Sequence, residues 1–350
     1  MIPLELSIGA IMLASIIIYA LTGGADFGGG AWDLLATGPR RAAQRKLVAE
    51  AIAPIWEANH VWLIVVIVLL FTCFAPAFSA IMIALHIPVT IMLVGIVLRG
   101  SAFAFRAYGI SSPGMRKTYE RVFAISSMVT PVMLGIVLGA VASGAIRVDL
   151  TTGRVMTNFF DAWLAPFPIA LGFFTLALFV FLAAVYLILE TDDPGLRADF
   201  RRRALMTAVV VGILAWVTLG VAHSAAPRIY AGLTRQPWSM PFQIVTGLTA
   251  VAVILSLWFR YYAAARALAI LQVTLILLGW GLVQYPYIVP PDLTLYNTAA
   301  PISILRPVLI ILSLGLLIIG PAFWWLYSIF KGHQADRQAS DAGEAGAHEQ

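Results

Sequence analysis

The sequence predicts an all-α, polytopic membrane protein, and its composition and its pattern both support this fold class. Of the 350 residues, 61% are hydrophobic and only 11% are charged, and the mean hydropathy is +0.91. A soluble core could not enclose this share of apolar side chains. Because a spanning helix needs about 20 mainly apolar residues, the recurring apolar runs predict a helical bundle with about nine transmembrane helices.

Nine stretches meet the length requirement for a span. In chain order they centre on Leu6–Leu21, Val61–Phe78, Ile81–Phe105, Val122–Ala142, Phe167–Leu189, Leu205–Ala222, Pro241–Phe259, Leu268–Val283 and Pro307–Phe330. The first is expected to continue past Gly24 toward Leu35 as a glycine-broken helix. Because it opens with Glu5 and lacks a basic start and a small-residue cleavage site, we interpret it as a retained helix and not as a signal peptide.

The basic residues divide unevenly between the two sets of connecting loops. The loops after the first, third, fifth and seventh predicted helices, together with the C-terminal tail, hold sixteen Lys and Arg residues, whereas the opposite side holds five. Since cytoplasmic loops are enriched in Lys and Arg, this predicts a periplasmic N-terminus and a cytoplasmic C-terminus. The same asymmetry accounts for the net charge of +5, so we assign no nucleic-acid partner.

A single transmembrane domain is predicted for residues 1–331, because the loops are short and the composition changes only at Gly332. Residues 332–350 are small, polar and charged, which predicts a disordered cytoplasmic tail. Cys73 is the one cysteine of the chain. A count of one excludes an internal disulfide and a cysteine metal cluster. The tail histidines His333 and His348 are too few and too far apart for a metal site.

The candidate functional residues concentrate between Gly23 and Ile64, where the first predicted span ends and the second begins. Ionisable groups are costly at a hydrocarbon boundary, so each one needs a partner or a function. Asp26 stands among glycines that let neighbouring backbones approach closely. Its carboxylate could relay protons, or it could pair with an arginine for structure alone, and the residues leave both alternatives open.

Glu57 and His60 are i,i+3 neighbours at the start of the second predicted span, and Trp56 shares their helix face. A carboxylate beside an imidazole at the cytoplasmic boundary could accept protons from bulk water and pass them inward. The alternative is a polar helix start in the headgroup region, with Trp56 and Trp62 as interface anchors. The residues alone favour that alternative.

Arg99 and two histidines are the remaining polar candidates within the spans. A lone guanidinium inside the third predicted helix requires an anion, so we expect Arg99 to pair structurally with Asp26 or Glu57. Histidine is a common haem ligand in membranes. His86 and His223, however, lack the spacing of an axial pair, so we interpret both as polar residues with local hydrogen bonds.

Several blocks follow one another along nearly the whole chain, up to about Gly332: GGADFGGGAWDLL, IAPIWEANHVWLI, VLRGSAFAFR, ETDDPGLRADFRRRAL, YPYIVPPDLTLYNTAAP and a terminal FWWLY. In this order they resemble subunit II of the cytochrome bd quinol oxidases, including the short, cyanide-insensitive branch of that family. The number of separate blocks makes the resemblance more specific than any single motif.

The resemblance implies a heterodimeric terminal oxidase of the bacterial inner membrane that oxidises quinol and reduces oxygen to water in the respiratory chain. Haem b, haem d and the quinol site would belong to the partner, subunit I. Small accessory subunits and membrane lipid are further candidate partners. In this chain itself we expect no catalytic residue, no bound cofactor and no metal, because subunit II of this family supports haem assembly without ligating haem.

The resemblance also assigns roles to four residues. Glu57 falls on the acidic position of a proposed proton entry route from the cytoplasm. Asp26 falls on an aspartate of the family's first block, and Arg99 falls on its helix-three arginine. With His60, which stands where some relatives have glutamine, Glu57 and Asp26 are the candidates for the proton route, and Arg99 is their structural charge partner.

Two other functions fit the sequence less well. A secondary transporter often has broken helices near the membrane midplane, but here the acids lie near one face and no second broken helix is seen. A purely structural assembly subunit, which would not conduct protons, is not separable from the oxidase interpretation by sequence.

Overall fold

The computed structural model describes residues 3–52, 56–108, 113–322 and 325. Within these ranges, eight helices are long and apolar enough to cross a membrane, or nine if the bent pair Arg41–Ile52 and Glu57–Cys73 counts as one more span. The predicted polytopic helical bundle is therefore confirmed. The orientation of the termini stays a prediction, and the predicted tail, residues 332–350, lies outside the described residues.

Eleven helices and one small hairpin make up the described chain. The helices are α1 Leu4–Leu34, α2 Arg41–Ile52, α3 Trp56–Cys73, α4 Ala75–Tyr108, α5 Pro113–Ser143, α6 Pro166–Leu189, α7 Pro194–Ala225, α8 Pro227–Thr234, α9 Ser239–Trp258, α10 Tyr262–Gln284 and α11 Ile302–Ala322. The strands β1 Tyr287–Val289 and β2 Leu293–Thr294 pair antiparallel.

The chain divides into two compact units. One unit is Glu5–Ala299, which contains the first ten helices and the hairpin, and the other consists of Met1–Leu4 and Ala300–Gln350. The long helix of the second unit, α11, is apolar enough to span a membrane by itself. Whether residues 1–331 form one domain stays a prediction.

The second and third predicted spans meet at a different place from the one expected. The prediction placed Phe74 to Phe78 at the end of the second span, but α3 ends at Cys73 and α4 already begins at Ala75. Pro76 explains this start, because proline fits the first turn of a helix, where no amide donor is needed. A kink at Leu85, with φ −120° and ψ 18°, precedes Pro88, whose missing amide weakens the preceding turn.

The first helix is unbroken, so the expected glycine break after Gly24 is wrong. The glycines pack against α6 instead. A Cβ atom on Gly24 would lie 2.6 Å from the ring of Phe179, and one on Gly28 would overlap the carbonyl oxygen of Phe179. Four residues after Gly28, the indole Nε1 of Trp32 donates to the carbonyl of Val180 at 2.9 Å. Small residues here permit the close approach of two helices.

Helix α6 is the centre of the main core of this unit. Between Leu178 and Ile188 every residue except Tyr186 is buried. The same cluster includes Phe27 of α1, Phe123 of α5 and Phe200 of α7. A helix that is apolar all round is expected at such a central position.

The loops at the predicted outer end are joined by Asp292, between the two strands. Arg147 donates to this carboxylate from Nε at 2.9 Å and from Nη2 at 3.2 Å, and the amide of Val148 donates at 2.9 Å. Burial opposes ionisation, but the hydrogen bonds from Arg147 and Val148 outweigh it and lower the pKa of Asp292. The hairpin is thereby tied to the loop that follows α5.

We expect the substitution Gly28→Leu to destabilise the protein, because a side chain at this position would force α1 away from the α6 backbone. Overpacking of this kind costs about 1–3 kcal/mol. Gly220 of α7 is the matched control, since no atom lies within 4 Å of the point that a Cβ atom would occupy there. In thermal unfolding of the purified protein, Gly28→Leu should lower the midpoint and Gly220→Leu should leave it nearly unchanged. Equal midpoints would contradict the close packing of α1 against α6.

Candidate functional site

A cluster of polar side chains lies among α1, α3, α4 and α5, and all of its members are buried except His60, which is half-buried. We define the buried polar cluster as Tyr19, Asp26, Asn59, His60, Arg99, Ser127 and Thr130. Asp26 is 7% exposed, and Arg99 is only 1% exposed. Since an apolar surrounding cannot solvate such groups, their hydrogen bonds and charges must compensate one another.

Asp26 connects α1 to α3. Its Oδ2 accepts a hydrogen bond from Nδ2 of Asn59 at 2.5 Å, and Asn59 is itself 1% exposed. One helical turn after Asp26, Gly30 leaves space for Ser127 of α5, whose hydroxyl a Cβ atom on Gly30 would overlap. The glycine run thus brings α5 close to the carboxylate-bearing part of α1.

Arg99 connects α4 to α5 and lies between two aromatic rings. Its Nε donates to the hydroxyl of Ser127 at 3.2 Å. Its guanidinium carbon lies 4.7 Å from the ring centroid of Phe27 and 5.2 Å from that of Phe123. Such cation–π contacts offset part of the cost of burying the charge.

Among the described residues, no carboxylate lies within ion-pair distance of Arg99. Its charge interacts with that of Asp26 at longer range, and its Nη2 has no hydrogen-bond partner in the described part of the chain. The structure therefore brings Arg99 and Asp26 into one cluster without a direct contact. The hydroxyl of Thr130, which faces Gly95 one turn before Arg99, is likewise buried without a partner there.

His60 lies at the side of this cluster. The hydroxyl of Tyr19 is 3.5 Å from Nδ1 of His60, and the rings of Tyr19 and Phe27 both lie with their centroids 5.9 Å from that of the imidazole. The imidazole is thus placed against the same helix, α1, that carries Asp26.

Glu57 is exposed in the first turn of α3. Asn59 and His60 follow two and three residues later on the same helix, so the exposed carboxylate lies within one helical turn of the buried polar cluster. The backbone of Trp56 is part of α3, but its side chain lies outside the described residues. The prediction that Trp56, Glu57 and His60 share one helix face therefore has described side chains only at Glu57 and His60.

Two networks of charged side chains attach helix α2 to the neighbouring helices α1, α5 and α7. In the first, Arg45 donates to both oxygens of Asp33, at 3.1 and 3.0 Å, and its Nη1 lies 3.2 Å from Oε2 of Glu120. In the second, Arg40 donates to both oxygens of Asp199 at 2.8 and 2.6 Å. Hydrogen bonding to Asp199 raises the pKa of Arg40, so this guanidinium stays charged.

The sequence had not indicated several partners in these arrangements. Asn59, Tyr19 and the hydroxyls of Ser127 and Thr130 were not predicted as site residues. The available signal was their type, because small polar residues inside an apolar span often hydrogen-bond between helices. The pairing of Arg40 with Asp199, 159 positions later in the chain, left no local pattern in the sequence.

The other two histidines of the predicted spans, His86 and His223, lie apart from the buried polar cluster. Nδ1 of His86 is 3.0 Å from the carbonyl of Ile83, and its ring packs against Phe159. His223 packs edge-on against Tyr230 at 4.8 Å. In the described ranges, no group of three or more His, Cys, Asp or Glu side chains could hold a metal ion.

Comparisons with known proteins agree on one family. The model of the family described as cytochrome bd terminal oxidase subunit II matches residues 4–330. A putative cytochrome bd menaquinol oxidase subunit II of Bacillus subtilis (strain 168) is 23% identical over 342 residues, which cover 93% of this chain and 97% of the relative. The cytochrome bd-I ubiquinol oxidase subunit 2 of Escherichia coli (strain K12) is 25% identical over 307 residues, or 80% of each chain.

The fold is also similar to that of a solved structure, the bd oxidase from Geobacillus thermodenitrificans. The TM-score is 0.76 at 20% sequence identity, and the match covers 93% of this chain and 98% of the other. At this identity the similarity shows a shared fold.

We predict that the charges of Asp26 and Arg99 compensate each other. Asp26→Asn or Arg99→Gln alone leaves one buried charge unbalanced, which should cost on the order of 2–4 kcal/mol. The double variant removes both charges and should lose less stability than the sum of the two single variants. The measurement is the thermal unfolding midpoint of the purified protein, with the exposed Arg41→Gln as the charge-loss control. Additive losses in the double variant would show that the two charges do not interact.

Proposed function

This chain belongs to the cytochrome bd terminal oxidase subunit II family, and from that premise we propose that it supports a haem-bearing subunit I and supplies part of its proton route. As a member of the family it is a multi-pass protein of the bacterial inner membrane and part of a quinol oxidase complex. Haem b and haem d, bound in subunit I, would supply the electron transfer from quinol to oxygen.

The observation that carries the proton-route proposal is the position of Glu57. It is exposed in the first turn of α3, whereas Asn59 and His60, two and three residues later, contact Asp26 and Tyr19. On the predicted orientation this turn faces the cytoplasm. An exposed carboxylate can exchange protons with bulk water, and the buried polar cluster extends from it into an apolar surrounding.

Each member of the cluster has a part in this proposal. Asp26 and His60 can each hold a proton, while Asn59 and Tyr19 position them through hydrogen bonds. Arg99 places a positive charge in the same cluster and so compensates the negative charge of Asp26 whenever this carboxylate has released its proton. The partnerless Nη2 of Arg99 and hydroxyl of Thr130 are groups that ordered water can satisfy.

The net chemistry separates charge without a pump. Quinol oxidation releases protons on the outer side, and the reduction of oxygen to water consumes protons drawn from the cytoplasm. Subunit II would contribute the cytoplasmic end of that supply. A purely structural subunit would lack this contribution, and the two proposals differ in what happens when Glu57 is replaced.

We expect Glu57→Gln to lower oxygen consumption of the two-subunit oxidase about tenfold. This is less than the ~10²–10⁴-fold contribution of a group that transfers a proton to the reacting atoms, because Glu57 lies on the supply route and not at those atoms. The reduced-minus-oxidised absorption spectrum should be unchanged, since Glu57 is exposed and does not pack in the core. Glu50→Gln is the control, as Glu50 is also exposed and lies on the neighbouring helix α2. Full turnover of Glu57→Gln would favour the purely structural subunit.

The assembly role has its own test. Membranes containing this chain together with subunit I should show the absorption bands of haem b and haem d, whereas either chain alone should lack the full set. Complete bands from subunit I alone would show that this chain is not required for haem assembly. The absence of haem bands in all three preparations would contradict the oxidase assignment and reopen the transporter alternative.

A further inference from the structure

A cavity of about 360 Å³ lies between the short helix α8, the start of α9 and the end of α10. Its lining shares no residue with the buried polar cluster, which α1, α3, α4 and α5 form. Its principal lining residues are Arg228, Ala231, Gln236, Trp238, Val283 and Tyr285. Among the described residues, none that lines it carries a negative charge.

Arg228 is fixed in place at the wall of this cavity. Its Nη2 donates to the carbonyls of Val283 at 3.1 Å and Gln284 at 3.3 Å, which end helix α10. Its guanidinium carbon lies 4.0 Å from the ring centroid of Tyr287. The second amino group, Nη1, is buried and has no hydrogen-bond partner in the part of the chain that the structure describes.

A guanidinium held in this way is preorganised to bind an anion. Its orientation is already set by the contacts to α10 and Tyr287, so little side-chain entropy is lost on binding. Leaving a buried donor unsatisfied costs free energy, and an anionic oxygen would remove that cost. Arg235, exposed at the C-terminal end of α8, adds positive charge to the same short helix.

The position of the cavity indicates the source of the anion. The membrane-spanning helix α7 ends at Ala225, α9 begins at Ser239 and α10 ends at Gln284, so the cavity lies where three spans reach the membrane surface. Trp238 and Tyr285 line it, and these residue types are enriched at the level of the lipid headgroups. Phospholipid phosphates occupy the same level.

We propose that this cavity binds the phosphate group of an anionic phospholipid, with the guanidinium of Arg228 as the principal donor. The amide of Gln236 supplies a second donor at the rim, and the rings of Trp238 and Tyr285 contact the glycerol region. The bound lipid would connect α8 to the ends of α9 and α10. This proposal is independent of the proton route, since it involves none of the same residues.

The test uses the purified two-subunit oxidase and phosphatidylglycerol. Native mass spectrometry should detect a retained phosphatidylglycerol in the unaltered complex and about tenfold weaker retention in Arg228→Gln, because a hydrogen bond to a charged group is lost. Arg154→Gln is the matched control, as Arg154 is exposed in the loop between α5 and α6 on the same predicted side. Equal retention in Arg228→Gln and Arg154→Gln would overturn the proposal.

A second variant covers the case in which Arg228→Gln fails to assemble, since Arg228 also caps α10. Ala231→Leu reduces the volume of the cavity while keeping Arg228 and should reduce lipid retention to a similar degree. Unchanged retention in Ala231→Leu would also overturn the proposal.

Thermal unfolding distinguishes the two sources of phosphate. Phosphatidylglycerol added to the delipidated complex should raise the unfolding midpoint, and inorganic phosphate should not. Stabilisation by inorganic phosphate alone would assign the cavity to a free anion, and recovery of a lipid without a phosphate group from the cavity would exclude the phosphate contact. Because oxygen consumption is not the measured quantity, the result does not depend on whether Glu57 conducts protons.

Discussion

The cost of burying the charges of Asp26 and Arg99 is the constraint on which the packing of α1, α4 and α5 depends. Neither charge has a direct ion pair among the described residues, so each relies on polar atoms brought close by its neighbours. For Asp26 the polar atom is the amide of Asn59 on α3, and for Arg99 it is the hydroxyl of Ser127 on α5. Gly30 lies against that hydroxyl and Gly95 against the hydroxyl of Thr130, so these glycines, which have low helix propensity, let α5 pack closely against the two helices that carry the charges.

At the same end of the unit, surface charges serve a different purpose. The pairs Arg45–Asp33 and Arg40–Asp199 attach the amphipathic helix α2 to α1 and α7. Isolated exposed pairs contribute little to stability, but here Asp33 is almost fully buried, and each arginine binds both oxygens of its carboxylate. This arrangement fixes the position of α2 next to the proposed proton entry.

Hydropathy was sufficient to predict the fold class, because transfer into lipid is decided by composition over about 20 residues. It was insufficient for boundaries that depend on one residue, such as the start of α4 at Ala75, which Pro76 determines. The glycines after Gly24 were taken as a break because propensity favours that interpretation, whereas packing against Phe179 keeps α1 helical. The contact between Asp26 and Asn59 depends on how two helices are rotated about their axes, and no local pattern in a single sequence records that rotation.

The connection between α3 and α4 consists of Phe74 alone. Asn59 and His60 lie on the helix before this residue, and Arg99 lies on the helix after it, so the two sides of the buried polar cluster are coupled through a one-residue junction. A longer loop would absorb a small displacement of one helix, but this junction transmits it to the other. Up to the kink at Leu85, the junction therefore ties the depth of α4 in the membrane to that of α3.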